Sequence, residues 1–233
     1  MRRRKRIKKD VLKKAYSGII GVAFSGNRRC SALLLKALSL YNINHYSRAI
    51  ALLEKMIKWK CMTDKEFAVV YFITGLCYDY WDQPSLAVKA YRLAIKNDSS
   101  YAHAYNNLGL IYGTKDDFNG AIHCYEKSLS INKNDHWVNN DLAKVYVRIV
   151  KPDKAIKYAL YALKLKGDMY EAMNTLVCAY SLKNNWEKAE EYFQKSLLNG
   201  APNIEEVRDY MNHIKSREGW TFKPPESTPY AVD

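Results

Sequence analysis

The chain repeats its pattern of side chains every 34 residues. When the sequence is shifted by that distance, alanine falls on alanine through five successive segments, once a four-residue insertion (residues 64–67) after the first segment is allowed for. The alanines are Ala49, Ala87, Ala121, Ala155 and Ala189. Repetition at a fixed period predicts an array of small units, each of which buries its apolar surface against its neighbours.

The period divides residues 30–203 into five repeats, and the last four follow one another without insertion or deletion. The repeats are 30–63, 68–101, 102–135, 136–169 and 170–203. The chain has only 10 Gly and 6 Pro residues, which is too few for a turn-rich β fold. The sequence therefore predicts an all-α protein.

Each repeat holds two stretches with the period of an α-helix. In the third repeat the first apolar stripe recurs at i, i+3, i+4 and i+7. It consists of Tyr105, Leu108, Gly109 and Tyr112. The polar stretch 113–119 indicates a turn, and a second stripe begins at Ala121. Two helices of about twelve residues are thus expected in each repeat, and small residues such as Gly109 would let their backbones approach closely.

This pattern resembles the tetratricopeptide repeat. The third repeat fills the family's aromatic, Leu-Gly, Tyr, Ala and aromatic positions with Tyr105, Leu108, Gly109, Tyr112, Phe118, Ala121 and Tyr125. The resemblance extends over about three quarters of the chain, although the proline that often ends such a repeat is absent. It implies an α-solenoid of five helix-turn-helix repeats, which acts as a non-enzymatic protein-interaction scaffold and binds a peptide segment of another protein in a concave groove.

Helix geometry places positions 2, 5, 9, 12 and 13 of each repeat about 130° from the buried stripe of the first helix. The resemblance implies that this second stripe lines the groove. The candidate groove residues are Phe72, Leu76, Tyr80, His103, Asn106, Trp137, Asn140, Lys144, Arg148 and Asn174.

Two features of this stripe indicate how a peptide would be held. Asparagine occurs at position 5 of three successive repeats, as Asn106, Asn140 and Asn174, and amides can both donate and accept hydrogen bonds along a peptide backbone. Trp137, followed by two basic residues on the same stripe, would anchor an acidic or aromatic side chain. Two alternatives stay open: the asparagines also suit a solvated helix face, and Trp137 also suits packing against the next hairpin.

Residues 1–29 form a basic arm with a net charge of +10, whereas the rest of the chain carries +3. Its apolar residues recur at i+4 from Ile7 to Ile19, which outlines a basic amphipathic helix. The charges nearest the terminus are Arg2, Arg3, Arg4, Lys5, Arg6, Lys8 and Lys9. Three interpretations stay open: the arm caps the first repeat, residues 1–14 make a weak contact with nucleic acid or an anionic membrane, or the arm is disordered.

Beyond the repeats, residues 203–217 are predicted to form a capping helix. Asn203 and Glu206 have the spacing of a capping box, and an apolar face follows them. That face consists of Ile204, Val207, Met211 and Ile214. Residues 218–233 form a proline-containing tail that is expected to be disordered.

Enzymatic and metal-binding motifs are absent from the sequence. There is no G-x-x-x-x-G-K-[ST], H-E-x-x-H or G-x-S-x-G pattern, and the five His residues are scattered. We therefore predict no catalytic residue, no cofactor, no metal and no small-molecule substrate. Five Cys residues without a C-x-x-C pair, and the absence of a long apolar run, favour a cytoplasmic protein.

Overall fold

The computed structural model describes residues 28–59, 62–202 and 204–216, and in this part of the chain it contains eleven α-helices and no strand. The helices are α1 Arg28–Asn42, α2 Tyr46–Trp59, α3 Asp64–Tyr80, α4 Pro84–Asn97, α5 Ala102–Thr114, α6 Phe118–Ile131, α7 His136–Arg148, α8 Pro152–Leu165, α9 Tyr170–Leu182, α10 Trp186–Leu198 and α11 Ile204–Ser216. The predicted fold class, an all-α solenoid of helix-turn-helix repeats, is confirmed. The basic arm up to residue 27, Asn203 and the tail lie outside the described residues.

Five three-residue turns join the helices into hairpins, and all five have the same geometry. In each turn the middle residue is left-handed, and the next backbone N–H donates to the carbonyl five residues back, as in a Schellman motif. The left-handed residues are Asn44, Asp82, Asp116, Val150 and Asn184. Asn and Asp tolerate this conformation, whereas the β-branched Val150 is strained by it.

The insertion after the first repeat lengthens a helix. Residues 64–67 form the first turn of α3, which at 17 residues is three longer than α2. Thr63 caps this turn: its hydroxyl accepts from the Glu66 backbone N–H, and the Thr63 N–H donates to Glu66 Oε2 at 2.6 Å. The inserted residues are therefore a capped helical turn rather than a loop.

Tertiary contacts divide the chain into two bodies, and the boundary falls between Ala104 and Tyr105, within α5. In the N-terminal body the core is rich in aromatic rings. The ring of Tyr91 has no exposed surface and lies against Gly75, and the ring centroids of Phe72 and Tyr101 are 5.1 Å apart.

The C-terminal body contains the rest of α5 and helices α6 to α11. Helix α9 is central to it and contacts α7, α8, α10 and α11. Helix α11 packs against α9 and α10, burying Ile204, Val207 and Tyr210, while its other side exposes charged residues. Val207 and Tyr210 follow Met173 and Leu176 of α9 by 34 residues. Helix α11 therefore occupies the position that the first helix of a sixth repeat would have. Its role as a cap remains a prediction.

None of the helices in the described part of the chain is both long enough and apolar enough to cross a membrane.

Candidate functional site

The first helices of the last three repeats, α5, α7 and α9, carry the candidate groove residues of the C-terminal body. Asn140 on α7 has no exposed surface and contacts Thr175 on α9. Thr175 Oγ1 lies 2.9 Å from Asn140 Oδ1 and 2.9 Å from the carbonyl oxygen of Glu171. One hydroxyl proton cannot satisfy both acceptors. A half-turn of the Asn140 amide resolves this, because its nitrogen then donates to Thr175 while Thr175 donates to Glu171. Asn140 therefore joins two repeats.

The three asparagines at position 5 have three different environments. Asn174 Oδ1 accepts a hydrogen bond from the buried Ser196 hydroxyl on α10, inside its own hairpin. Asn106 on α5 is half-buried, and its Oδ1 has no hydrogen-bond partner among the described residues. This oxygen is itself buried, although Asn106 as a whole keeps some exposed surface.

Arg148, at the end of α7, closes over the turn between α5 and α6. Its guanidinium donates to the carbonyl oxygen of Gly113 at 2.8 Å and forms an ion pair with Asp116. The guanidinium carbon also lies 4.7 Å from the ring centre of Phe118. Through this hydrogen bond, ion pair and ring contact, Arg148 connects the fourth repeat to the third. Only 28% of its side chain is exposed.

We expect Arg148→Gln to lower the free energy of unfolding by about 1–2 kcal/mol, because a partly buried hydrogen bond to the Gly113 carbonyl and the packing on Phe118 are lost together. Urea unfolding followed by circular dichroism measures this change. Asp116→Asn is the matched control: its side chain is 66% exposed, so losing the ion pair should cost less than about 0.5 kcal/mol. Equal losses in the two variants would show that the ion pair dominates.

Trp137 and Lys144 are the half-buried members of the stripe on α7. One side of the Trp137 ring packs against a cluster formed by Ala162, Met169 and Ala172, and Lys166 Nζ lies 5.9 Å from the ring centre. Lys144 lies close enough to Cys178 on α9 for its charge to act on the thiol. Burial raises the pKa of Cys178 to about 12, and the positive charge of Lys144 opposes that rise.

In the N-terminal body the candidate residues form an aromatic surface. Phe72 and Leu76 are buried, so they lie behind this surface. Tyr80 and His103 are half-buried: the Tyr80 ring is 5.5 Å from that of Tyr41, and the His103 ring is 6.2 Å from that of Phe72. The exposed parts of the stripe are therefore Tyr80 and His103 here, and Asn106, Trp137 and Lys144 in the C-terminal body.

No group of three or more His, Cys, Asp or Glu side chains that could hold a metal ion occurs among the described residues. What this arrangement offers is surface chemistry: an aromatic ring, an ammonium group and amides on a rigid helical base.

Two family models, both described as tetratricopeptide repeat, match residues 102–135 and 171–198. The chain therefore contains tetratricopeptide repeats. Proteins of this family act as protein-interaction scaffolds. The first match has the same bounds as the third repeat read from the sequence, while the bounds of the other repeats remain predictions.

Solved tetratricopeptide repeat structures share the fold. The crystal structure of MamA is 21% identical with a TM-score of 0.64, and the match covers 72% of this chain and 96% of MamA. PilF of Pseudomonas aeruginosa is 18% identical with a TM-score of 0.65, covering 79% of this chain and 88% of PilF. YrrB, described as a TPR protein with an unusual peptide-binding site, is 17% identical with a TM-score of 0.64. The match covers 79% of this chain and 90% of YrrB.

A curated relative resembles part of the chain. The peroxisomal targeting signal receptor of Saccharomyces cerevisiae is 36% identical over 69 residues. These residues are 30% of this tetratricopeptide repeat protein but only 11% of the receptor's length. The likeness therefore concerns a few repeats and not the whole receptor.

Proposed function

We propose that this tetratricopeptide repeat protein is a non-enzymatic, cytoplasmic scaffold that binds a peptide segment of another protein along α5, α7 and α9. The observation that carries the proposal is that the half-buried Trp137 and Lys144 lie on the same helix as Asn140, whose buried contact with Thr175 joins α7 to α9. The base is fixed, so the exposed groups lose little freedom when a ligand binds. Tyr80 and His103 would contact a peptide in the N-terminal body.

The chemistry of this face favours a particular type of peptide residue. The indole ring of Trp137 and the ammonium group of Lys144 lie about two helical turns apart on the same stripe. Together they complement a side chain that is acidic or aromatic. The peptide-binding site named for YrrB supports this general mode of action and does not specify the ligand.

The alternative of an adaptor recruited to nucleic acid or an anionic membrane depends entirely on the basic arm. Residues 1–27 lie outside the described residues, and none of the four similar proteins named above is described as binding either surface. We therefore do not adopt this alternative.

A peptide-display selection on the full chain, followed by calorimetry with the selected peptides, tests the proposal. Trp137→Ala combined with Lys144→Ala is expected to weaken binding at least tenfold, because aromatic and basic anchors carry about 2 kcal/mol or more at such interfaces. The control is Trp59→Ala with Lys127→Ala, which removes the same residue types at exposed positions on second helices of their repeats. A control variant that loses as much affinity would contradict the site, provided that both variants keep the helical circular dichroism of the wild type.

A further inference from the structure

We propose that the outer face of α8 is a second interaction surface, which binds an acidic, partly aliphatic segment of another protein. This goes beyond the proposed function, because the face belongs to the second helix of its repeat. Helix α8 buries Ala155, Ala159 and Ala162. The opposite side exposes lysines around a leucine that is 39% exposed, namely Lys154, Lys157, Leu160 and Lys164.

Among the described residues, no carboxylate forms an ion pair with these lysines. No carboxylate of a described residue lies within 4.0 Å of Lys154, Lys157 or Lys164. Asp153, the acidic residue of α8, is in an ion pair with Lys183. The face is thus a run of three uncompensated ammonium groups, which spans about 15 Å along the helix.

On each of the neighbouring second helices, α6 and α10, one of these four repeat positions is acidic, while Lys188 of α10 repeats the charge of Lys154. Glu126 of α6 stands where α8 has Leu160, and Glu191 of α10 stands where it has Lys157. Glu187 and Glu190 are also exposed on α10, which packs against α9 as α8 does. The run of three lysines is therefore confined to α8, and the helices beside it carry exposed carboxylates mixed with lysines, Glu191 being paired with Lys195.

The width of the basic surface favours a peptide over a membrane or a nucleic acid as its ligand. A bilayer surface or a nucleic-acid duplex is broader than one helix and would bring its phosphates against the carboxylates on both sides. A peptide helix, about 10 Å across, fits the strip. Exposed Leu160 would contact an aliphatic side chain, which a phosphate ligand does not supply. The rings of Tyr146 and Tyr158 are stacked on each other at 5.7 Å, and Lys154 and Lys157 lie over them at 5.1 and 5.9 Å from the ring centres, so a nucleobase would have to displace one of these groups to stack.

The test uses the full chain and a fluorescent synthetic peptide of repeated Glu-Leu-Glu-Glu blocks. One variant combines Lys154→Gln, Lys157→Gln and Lys164→Gln, and the control combines Lys115→Gln, Lys127→Gln and Lys215→Gln. Both remove the same formal charge, so the basic arm contributes equally to each. We expect the α8 variant to weaken binding, measured by fluorescence anisotropy, at least tenfold and the control less than twofold, with the thermal midpoints of both unchanged.

A crosslinking experiment locates the peptide directly. A photoreactive benzoylphenylalanine replacing Leu160 is expected to capture the peptide, whereas the same group replacing Glu126, the equivalent position on α6, is not. The Trp137→Ala, Lys144→Ala variant should crosslink as the wild type does, which separates this surface from the groove.

Four results would overturn the proposal. These are equal losses in the two lysine variants, equal crosslinking from both positions, a crosslink between two copies of the chain, and tighter α8-dependent binding to phosphatidylserine vesicles or duplex DNA than to the peptide.

Discussion

Replacing Gly109 with valine is expected to lower the free energy of unfolding by about 2–3 kcal/mol. A Cβ atom at this position would lie 2.7 Å from Cε1 of Tyr125 on α6. Tyr125 is only 2% exposed, so its ring has no space into which it could move. Removing a glycine from a helix gains about 1 kcal/mol in propensity, which nearly offsets the strain from a single methyl group. Valine adds two more carbons, and the strain then dominates.

The fourth repeat shows how the same contact can be built without glycine. It has Ala143 and Ala159 where the third repeat has Gly109 and Tyr125, and both alanines are fully buried. Tyr125→Ala alone should cost about 3–5 kcal/mol, because it leaves a cavity. Adding Gly109→Ala to Tyr125→Ala should recover part of that loss, since the pair then matches the fourth repeat.

Urea unfolding of the single and double variants measures this coupling. The control is Gly113→Ala: a Cβ there meets only Ala121 Cβ at 3.9 Å, so the change should be neutral or stabilising. If the effects of Gly109→Ala and Tyr125→Ala simply add to within about 0.5 kcal/mol, the two side chains do not compete for the same space.

Sequence reasoning predicted the fold because the repeat pattern records which side chains are buried. Buried alanines such as Ala121 and Ala155 recur at the period, and a wrong fold would expose them. The pattern could not show that residues 64–67 extend α3, since an insertion can equally form a loop. It also missed the left-handed conformation of Val150, because valine is not a residue that normally adopts it.

The candidate site was harder to predict, because a position in a repeat fixes a direction but not a partner. Asn140 and Asn174 share one repeat position, yet one is held by Thr175 of the next repeat and the other by Ser196 of its own hairpin. Arg148 was interpreted as a possible anchor, and the structure shows that its two terminal guanidinium nitrogens are engaged by Gly113 and Asp116. These contacts depend on what the neighbouring helices carry, which a single repeat cannot reveal.

Alkaline pH is expected to lower the stability of the C-terminal body. Burial raises the pKa of the Cys178 thiol from 9.0 to about 12. Burial, together with the nearby Glu126 carboxylate, raises the pKa of Tyr146 from 10.0 to about 12. The pKa of Tyr210 is also raised, by burial and by the charge of Cys178. All three groups are therefore held in their neutral form by the fold.

The sign of the effect follows from which state releases protons first. Between pH 9 and pH 12 the unfolded chain loses its thiol and phenol protons while the folded chain keeps them. The stabilisation is fully present below pH 9 and is lost as the pH rises through this window. Cys178 alone should contribute a slope of about 1.4 kcal/mol per pH unit within it.

Thermal unfolding at a series of pH values, together with ultraviolet absorbance of the thiolate and tyrosinate, measures this loss. Cys178→Ala should give a shallower fall in thermal midpoint than the wild type, because it removes one of the titrating groups. Val177→Ala is the control: it shortens a buried neighbour without removing an ionisable group, so its curve should run lower but parallel to that of the wild type. Parallel curves for Cys178→Ala and the wild type would mean that the thiol ionises in the folded chain as readily as in the unfolded one, and that burial beside Lys144 does not hold its proton.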